Sequence, residues 1–435
     1  MIDIRTRSGR QPWSSSIALA AAALLVTAAL LTSLQDHHQA SALHAEGHDE
    51  EREFDLVIFG ATGYVGSLLT ASLVGDASKF LSITPGANLN SGAAGVRFAL
   101  AGRNFSKLGR LCDDASAKAG LPIDMIVADS NDPASLDRLA SRSKVVITTV
   151  AQAPSEGSGF GEGSLLMRCI QHGTHLVDLD GFWTADAALV QAVDAAARAT
   201  GSVYSPASGE VAVLADLLTY RAWASLSRPP LRKSTVTSLS FNGVASARDA
   251  AETSIWAPYD EPVVRLSAAA LGYGPSFDFV ELSPTNAAHS DWWNNRLAAR
   301  RRAARFVMVA QVEAEDGRVA AAAVSGGEVD YEETARLALE MALCLLRDRP
   351  RLPAARAGGV WAPAAGWGDA LLARLGRIGL EVVPMEPSDA HKTLHDALER
   401  HQHAPALPLA AAPRPPPAPP FADAPSPQSA AGVRA

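Results

Sequence analysis

Phe54-Asp55-Leu56-Val57-Ile58-Phe59 runs straight into Gly60-Ala61-Thr62-Gly63-Tyr64-Val65-Gly66, and this junction constrains the fold more than any other stretch. A continuous apolar run of this length reads as a parallel strand buried on both faces. The glycines let the backbone turn tightly and approach a phosphate, whose charge is stabilised by open amides and the positive dipole end of the next helix. Ser67 to Val74 continue with apolar residues at helical spacing, so the glycines lie between a strand and a helix. That context makes Gly60, Ala61, Thr62, Gly63, Tyr64, Val65 and Gly66 a candidate cradle for a nucleotide pyrophosphate, as a variant of the dinucleotide fingerprint.

A second apolar strand, Phe98-Ala99-Leu100-Ala101, ends in Gly102-Arg103. Dinucleotide folds often place an acid there to accept the ribose 2′-hydroxyl, whereas a guanidinium presents a planar fork of donors that matches a phosphate. Arg103 therefore points to a 2′-phosphate and to NADP over NAD; the alternative is a solvent-exposed arginine after a strand. Gly75 to Gly95, rich in Gly, Ser, Asn and Ala, reads as a surface insertion. Ile123 to Asp129 makes a third strand, and Asp132-Pro133 opens the next helix with a capping acid and a proline in the first turn. Asp129 either sits beside the adenine or serves as a strand-end turn residue. Lys144 to Val150 is the fourth strand, and the strand-helix alternation implies an α/β, Rossmann-type doubly wound parallel sheet. The cofactor is expected across the carboxyl ends of its strands.

Four stretches together resemble the saccharopine dehydrogenase-like oxidoreductases, including the trans-acting enoyl reductases of complex lipid synthesis. They are Phe54 to Gly66; Ala99 to Arg103 with Ser106-Lys107-Leu108; Cys169 to Gly181; and Ser325-Gly326-Gly327 through Tyr331 to Ala335, Gly358 to Ala364 and Gly368 to Leu371. The resemblance runs from about Phe54 to Pro384 and implies a nicotinamide cofactor and hydride transfer. The chain departs from the family near the expected active site. A Val-Gly-Pro-Tyr pattern is replaced by Val150-Ala151-Gln152-Ala153, with Ala151 kept as a cofactor-binding candidate. Gly157 to Gly163 looks inserted, and Asp-x-x-Gly-Glu becomes Asp178-Leu179-Asp180-Gly181-Phe182.

A chain of 435 residues, 48% of them hydrophobic, can bury a large core and is expected to form two domains. A net charge of -8 argues against general nucleic-acid binding, which needs clustered Lys and Arg. The basic run Arg296 to Arg305, interleaved with Leu297 and preceded by Trp292 and Trp293, reads as a solvated helix face or a membrane-touching one. Cys112, Cys169 and Cys344 fall in predicted helices without metal-ligand spacing, so no metal site is expected. Ile17 to Leu34 is almost continuously apolar behind Arg5, Arg7 and Arg10. It reads as a signal anchor giving membrane association through residues 17–34, as a segment cleaved near Ala40-Ser41-Ala42 to leave an organellar protein, or as a mistaken start to a cytoplasmic one. Ala404 to Ala435 is dominated by Pro and Ala and cannot bury enough surface to fold.

The expected organisation is an anchor or targeting segment and linker over 1–52, a Rossmann domain over 53–205, an α+β domain built on a largely antiparallel sheet over 206–386, and a disordered tail over 387–435. Ser234 to Phe241 alternates like a half-buried strand, and Phe306 to Val312 pairs with Val319 to Val324 across the turn Glu315-Asp316-Gly317. Tyr331 to Leu346 and Gly368 to Leu375 read as helices, with Leu380 to Val383 a closing strand. Hydride transfer to an activated double bond also needs a donor for developing negative charge. Asp178, His175 and Tyr204, at predicted strand ends facing the cofactor, are candidates, each equally readable as an ordinary strand-end residue. No Tyr-x-x-x-Lys pair and no Gly-x-Ser-x-Gly elbow occurs. The expected function is NADP-dependent reduction of a hydrophobic, lipid-linked enoyl or carbonyl substrate; the alternatives are a non-catalytic NADPH-binding protein and a saccharopine-forming enzyme, which would need an arginine cluster the strand ends lack.

Overall fold

Buried strands need hydrogen-bond partners on both edges, and Phe54–Phe59 (β1) finds them in Phe98–Gly102 (β2) and Ser143–Thr148 (β4), both parallel to it. The computed structural model describes residues 52–75, 96–150, 163–181, 184, 186–241, 252–254, 256–283, 305–327 and 329–402. Asp124–Val127 (β3) adds to β2, while His175–Asp178 (β5), Val203–Ser205 (β6) and Gly359–Val360 (β12) continue beyond β4. The result is a seven-stranded parallel sheet in the order β12-β6-β5-β4-β1-β2-β3.

Tyr64–Gly75 (α1) and Phe105–Ala119 (α2) cover one face of this sheet, packed on Leu56, Ile58, Leu100, Val145 and Ile147. Pro133–Ser141 (α3), Leu165–His172 (α4) and Ala187–Thr200 (α5) cover the other, against Val57, Phe59, Ala99 and Val146. Local chemistry sets the helix ends. Asp132 accepts from the Ala134 amide, Pro133 fills the first turn, and Gly173 and Gly201 close α4 and α5 in the left-handed conformation. The chain crosses in opposite directions from β1 and β4, so a crevice opens between their carboxyl ends, where such sheets bind ligands.

Glu210–Ser225 (α6) leads to a six-stranded sheet of Leu231–Phe241 (β7), Glu252–Thr253 (β8), Asp278–Ser283 (β9), Arg305–Ala314 (β10), Val319–Gly326 (β11) and Val383–Met385 (β13). Its order is β13-β11-β10-β7-β9-β8, antiparallel throughout except for β7 and β9. Ala257–Leu271 (α7) connects β8 to β9 and lies on the crossover between the parallel strands β7 and β9. The β10–β11 hairpin turns at the expected place, with Gly317 at φ +85° and its amide donating to Ala314 O at 3.0 Å. A five-residue π-turn, Val329–Glu333, then opens Thr334–Arg347 (α8), which lies against α1, β4 and β5 of the first sheet. Pro353–Ala357 (α9), β12, Pro363–Gly366 (α10) and Gly368–Arg377 (α11) follow.

Two expectations are corrected. Residues 387–402, assigned to a disordered tail, begin with the helix Pro387–Gln402 (α12), whose Ala390, Leu394 and Ala397 cover Leu239, Val309 and Ala321 on the outer face of the second sheet. Their helical spacing gives the segment a surface to bury, which the Pro-rich stretch after it lacks. Membrane attachment through an N-terminal anchor is also withdrawn. Among the described residues no helix is long and apolar enough to cross a membrane, and residues 17–34 lie outside them.

Candidate functional site

Two glycines in the turn after β1, Gly60 and Gly66, have no room for a side chain. Gly60 has φ +87°, and a Cβ there would stand 2.5 Å from Thr149 Oγ1. A Cβ on Gly66 would strike the Gly60 carbonyl and lie 2.7 Å from Ala61 Cα, so the first turn of α1 folds directly onto the loop. The Gly60 and Ala61 amides both donate to Ala101 O at 3.0 Å, and the Gly63 amide donates to Gly60 O at 2.8 Å. Ser67 N–H starts the helical ladder by donating to Gly63 O at 2.9 Å. Helix geometry leaves the amides of the turn before it, Val65 and Gly66 among them, outside that ladder. Thr62 and Gly63 are exposed at the mouth of the crevice, Ala61 is buried under them, and Tyr64 and Val65 are half-buried.

Thr149, which the sequence offered as a strand residue, locks this loop. Its amide donates to Phe59 O at 3.0 Å, and its hydroxyl lies 3.3 Å from Phe59 O and 3.2 Å from Gly60 O. A hydroxyl at the carboxyl end of the strand beside β1 was the available signal. A diphosphate fits here by the chemistry of the donors: the glycines hold the turn tightly packed, and the amides that the helical ladder leaves open stand at the helix N-terminus beyond β1.

Arg103 follows β2 immediately, is exposed, and has no hydrogen-bond or ion-pair partner among the described residues. The loop and β2 approach closely, since a Cβ on Gly102 would lie 3.8 Å from Thr62 Oγ1. Asp129 stands past the end of β3. Its Oδ1 accepts the Asn131 amide at 3.0 Å, and its own amide donates to Ser135 Oγ at 3.0 Å. The turn role is thus occupied by geometry. Ala151 lies outside the described residues.

The three candidates for proton chemistry separate. His175 is the first residue of β5, so it stands at the amino edge of the sheet, opposite the crevice, and the expectation that it faces a cofactor is corrected. Its Nδ1 accepts the Val203 amide at 3.0 Å, and burial pushes its pKa down to about 4, keeping it neutral. Asp178 ends β5 at the correct edge. Oδ2 accepts the Tyr204 hydroxyl at 3.0 Å and Oδ1 accepts the Asp180 amide at 2.9 Å. Burial raises this carboxyl to about 8, against the opposing pull of the Asp180 amide and the Tyr204 hydroxyl. Asp178 and Tyr204 are 5% and 1% exposed, so their polar atoms shape the loop after β5 from below the surface of the crevice.

That loop is clamped to the one after β6. The Ser208 amide donates to Asp178 O at 2.8 Å and the Ala207 amide to Asp180 O at 3.0 Å. Ala207 is held at φ +48°, and a Cβ on Gly181 would collide with its side chain. From above, Tyr331 of the π-turn packs edge-on against Tyr64 of the glycine loop, ring centroids 4.8 Å apart. The connection from the second sheet to α8 therefore touches the glycine loop, which no local pattern in the sequence announced.

A second buried acid was also missed. Asp216 on α6 accepts Ser267 Oγ of α7 and the Ala364 amide of α10 through Oδ2, each at 2.7 Å. Its Oδ1 and the nearby Tyr273 hydroxyl are buried and without a partner among the described residues, and burial pushes the carboxyl up to about 7. A single Asp inside an apolar helix is the signal that was present.

No family model matches the chain. A saccharopine dehydrogenase-like oxidoreductase of Mus musculus is 32% identical over 139 residues, 30% of this chain and 28% of that protein. A trans-acting enoyl reductase of Mycobacterium ulcerans (strain Agy99) is 31% identical over 131 residues, 30% of this chain and 26% of that protein. The chain thus spans little more than a quarter of the length of the curated relatives it matches. Among solved structures, an apo saccharopine dehydrogenase (L-Glu forming) from Saccharomyces cerevisiae aligns with a TM-score of 0.48 at 12% identity, over 76% of this chain and 99% of that one. Over the matched stretch, this chain is similar in sequence to the saccharopine dehydrogenase-like oxidoreductases and the trans-acting enoyl reductases.

Proposed function

We propose that the chain is an NADP-dependent oxidoreductase of the saccharopine dehydrogenase-like type, reducing an enoyl or carbonyl group of a hydrophobic, lipid-linked substrate. The observation that carries this reading is the glycine turn at the strand-order reversal, with the Arg103 guanidinium, which has no partner among the described residues, at the end of the adjacent strand. The similar oxidoreductases and enoyl reductases support the reaction type, and the hydrophobic, lipid-linked substrate is the expectation drawn from the family resemblance of the motifs. When bound, the nicotinamide would supply hydride.

The chain's own residues bind and orient. Gly60 to Gly66 and the first turn of α1 hold the diphosphate, and Arg103 meets the 2′-phosphate with a charge-assisted fork. Thr149 fixes the loop from the β4 side, while Asp178 and Tyr204 hold the Leu179–Gly181 loop at the crevice floor.

The test is a fluorescence titration of the full chain with NADPH and NADH, followed by NADPH consumption against a panel of enoyl and carbonyl lipids. Tighter NADPH binding with oxidation by at least one enoyl or carbonyl lipid is expected, and Arg103→Asp should weaken NADPH by roughly ten-fold or more while sparing NADH. Preference for NADH in the unmodified chain would refute the cofactor assignment. A second reading, an NADPH-binding protein without turnover, is favoured by one observation: Asp178, His175 and Tyr204 all place polar atoms on protein partners. NADPH binding with no oxidation across the panel would establish it.

A further inference from the structure

Phe105 is the first residue of α2 and is 63% exposed, more than any other large hydrophobic side chain among the described residues. Its spacing is that of a core-facing position. The buried residues of α2 are Leu108, Cys112 and Ala115, and Phe105 lies on the same helical stripe, three and seven residues before the first two. Leu108 and Cys112 lie in the core against the sheet, whereas Phe105 stands three residues past the end of β2. On the far side of β2 from the glycine turn, β3 ends in Val127, itself 44% exposed and in register with Gly102. Exposed apolar residues thus stand just past the end of β2, two residues from Arg103, and at the end of β3.

We propose that Phe105, with Val127, is the platform on which the adenine ring of the bound dinucleotide stacks. This deepens the reading of the site as an NADP site and rests on it. A diphosphate gripped after β1 and a 2′-phosphate held after β2 direct the adenosine end along the carboxyl edge towards β3. A flat, apolar, polarisable ring is the occupant that fits there, since Arg103 supplies the charge for the sugar phosphate and Phe105 supplies none. Ring-on-ring stacking tolerates the solvent exposure that a core phenylalanine would not.

The experiment measures binding of NADPH, of 2′,5′-ADP and of nicotinamide mononucleotide to the full chain and to Phe105→Ala and Phe105→Tyr. Phe105→Ala is expected to weaken NADPH and 2′,5′-ADP by the same factor, roughly ten-fold, on the scale of aromatic-base stacking. It should leave nicotinamide mononucleotide and the melting temperature unchanged, and Phe105→Tyr should restore binding. A variant that binds 2′,5′-ADP as tightly as the unmodified chain overturns the platform while leaving the NADP reading standing. Failure of the unmodified chain to bind any of the adenine-containing probes overturns both.

Discussion

Residue by residue, the crevice depends on where a carboxyl or a methyl group is placed. A methyl group on Gly66 meets backbone, which cannot step aside as a side-chain tip can. Gly66→Ala should therefore lower stability by about 2 kcal/mol and abolish NADPH binding, measured by urea unfolding and by titration. Asp216 makes a separate prediction. Its pKa is raised in the folded state to about 7, so the native protein holds a proton that the unfolded chain has already released. Its contribution is largest below the unfolded carboxylate pKa, and stability falls as pH rises from about 4 towards about 7. An asparagine in its place cannot ionise, yet the amide oxygen still accepts from Ser267 and Ala364, and the NH2 group takes the position of Oδ1, which has no partner among the described residues. Asp216→Asn should melt higher than the unmodified chain at pH 8, with the two curves converging near pH 4.

At the level of helices and strands, two packings carry measurable energy. Arg374 of α11 reaches Glu340 of α8 at 3.2 Å and Asp348 at 2.6 Å, and both Arg374 and Glu340 are buried. Burial raises the Glu340 pKa, while the Arg374 charge works against that shift. Arg374→Ala leaves a buried acid without its cation and should cost about 3 kcal/mol, read from the denaturant midpoint. On the outer face of the second sheet, α12 seals Leu239, Val309 and Ala321. A chain ended before Pro387 would expose that strip and is expected to aggregate on concentration, as seen by light scattering, whereas one ended after residue 402 should not.

Across the whole molecule, the two sheets are joined by more than one peptide link. β12 completes the edge of the first sheet after the chain has laid down five of the six strands of the second, and α8 packs on α1, β4 and β5. A fragment ending at residue 330 lacks both, so it should fail to give a stable dinucleotide-binding domain, checked by circular dichroism and NADPH titration. The glycine turn, the first four strands and the β10–β11 hairpin could be read from the chain itself, because each is set by neighbours: an apolar run, a glycine where φ is positive, an acid before a proline. The position of Arg103 directly after β2 was equally legible. Other features arose only from contacts distant in sequence. Gly359–Val360 is too short to carry a strand period, and its partner Val203 stands far back in the chain. Sequence placed His175, Asp178 and Tyr204 together at strand ends, but only the strand direction showed that His175 lies at the opposite edge. Tyr331 came to the glycine loop through the path of α8. The sequence specified which segments would be strands, turns and helices, since those depend on residues within reach of one another. Which edge each side chain faces, and what it touches there, was decided when the segments closed on a shared core.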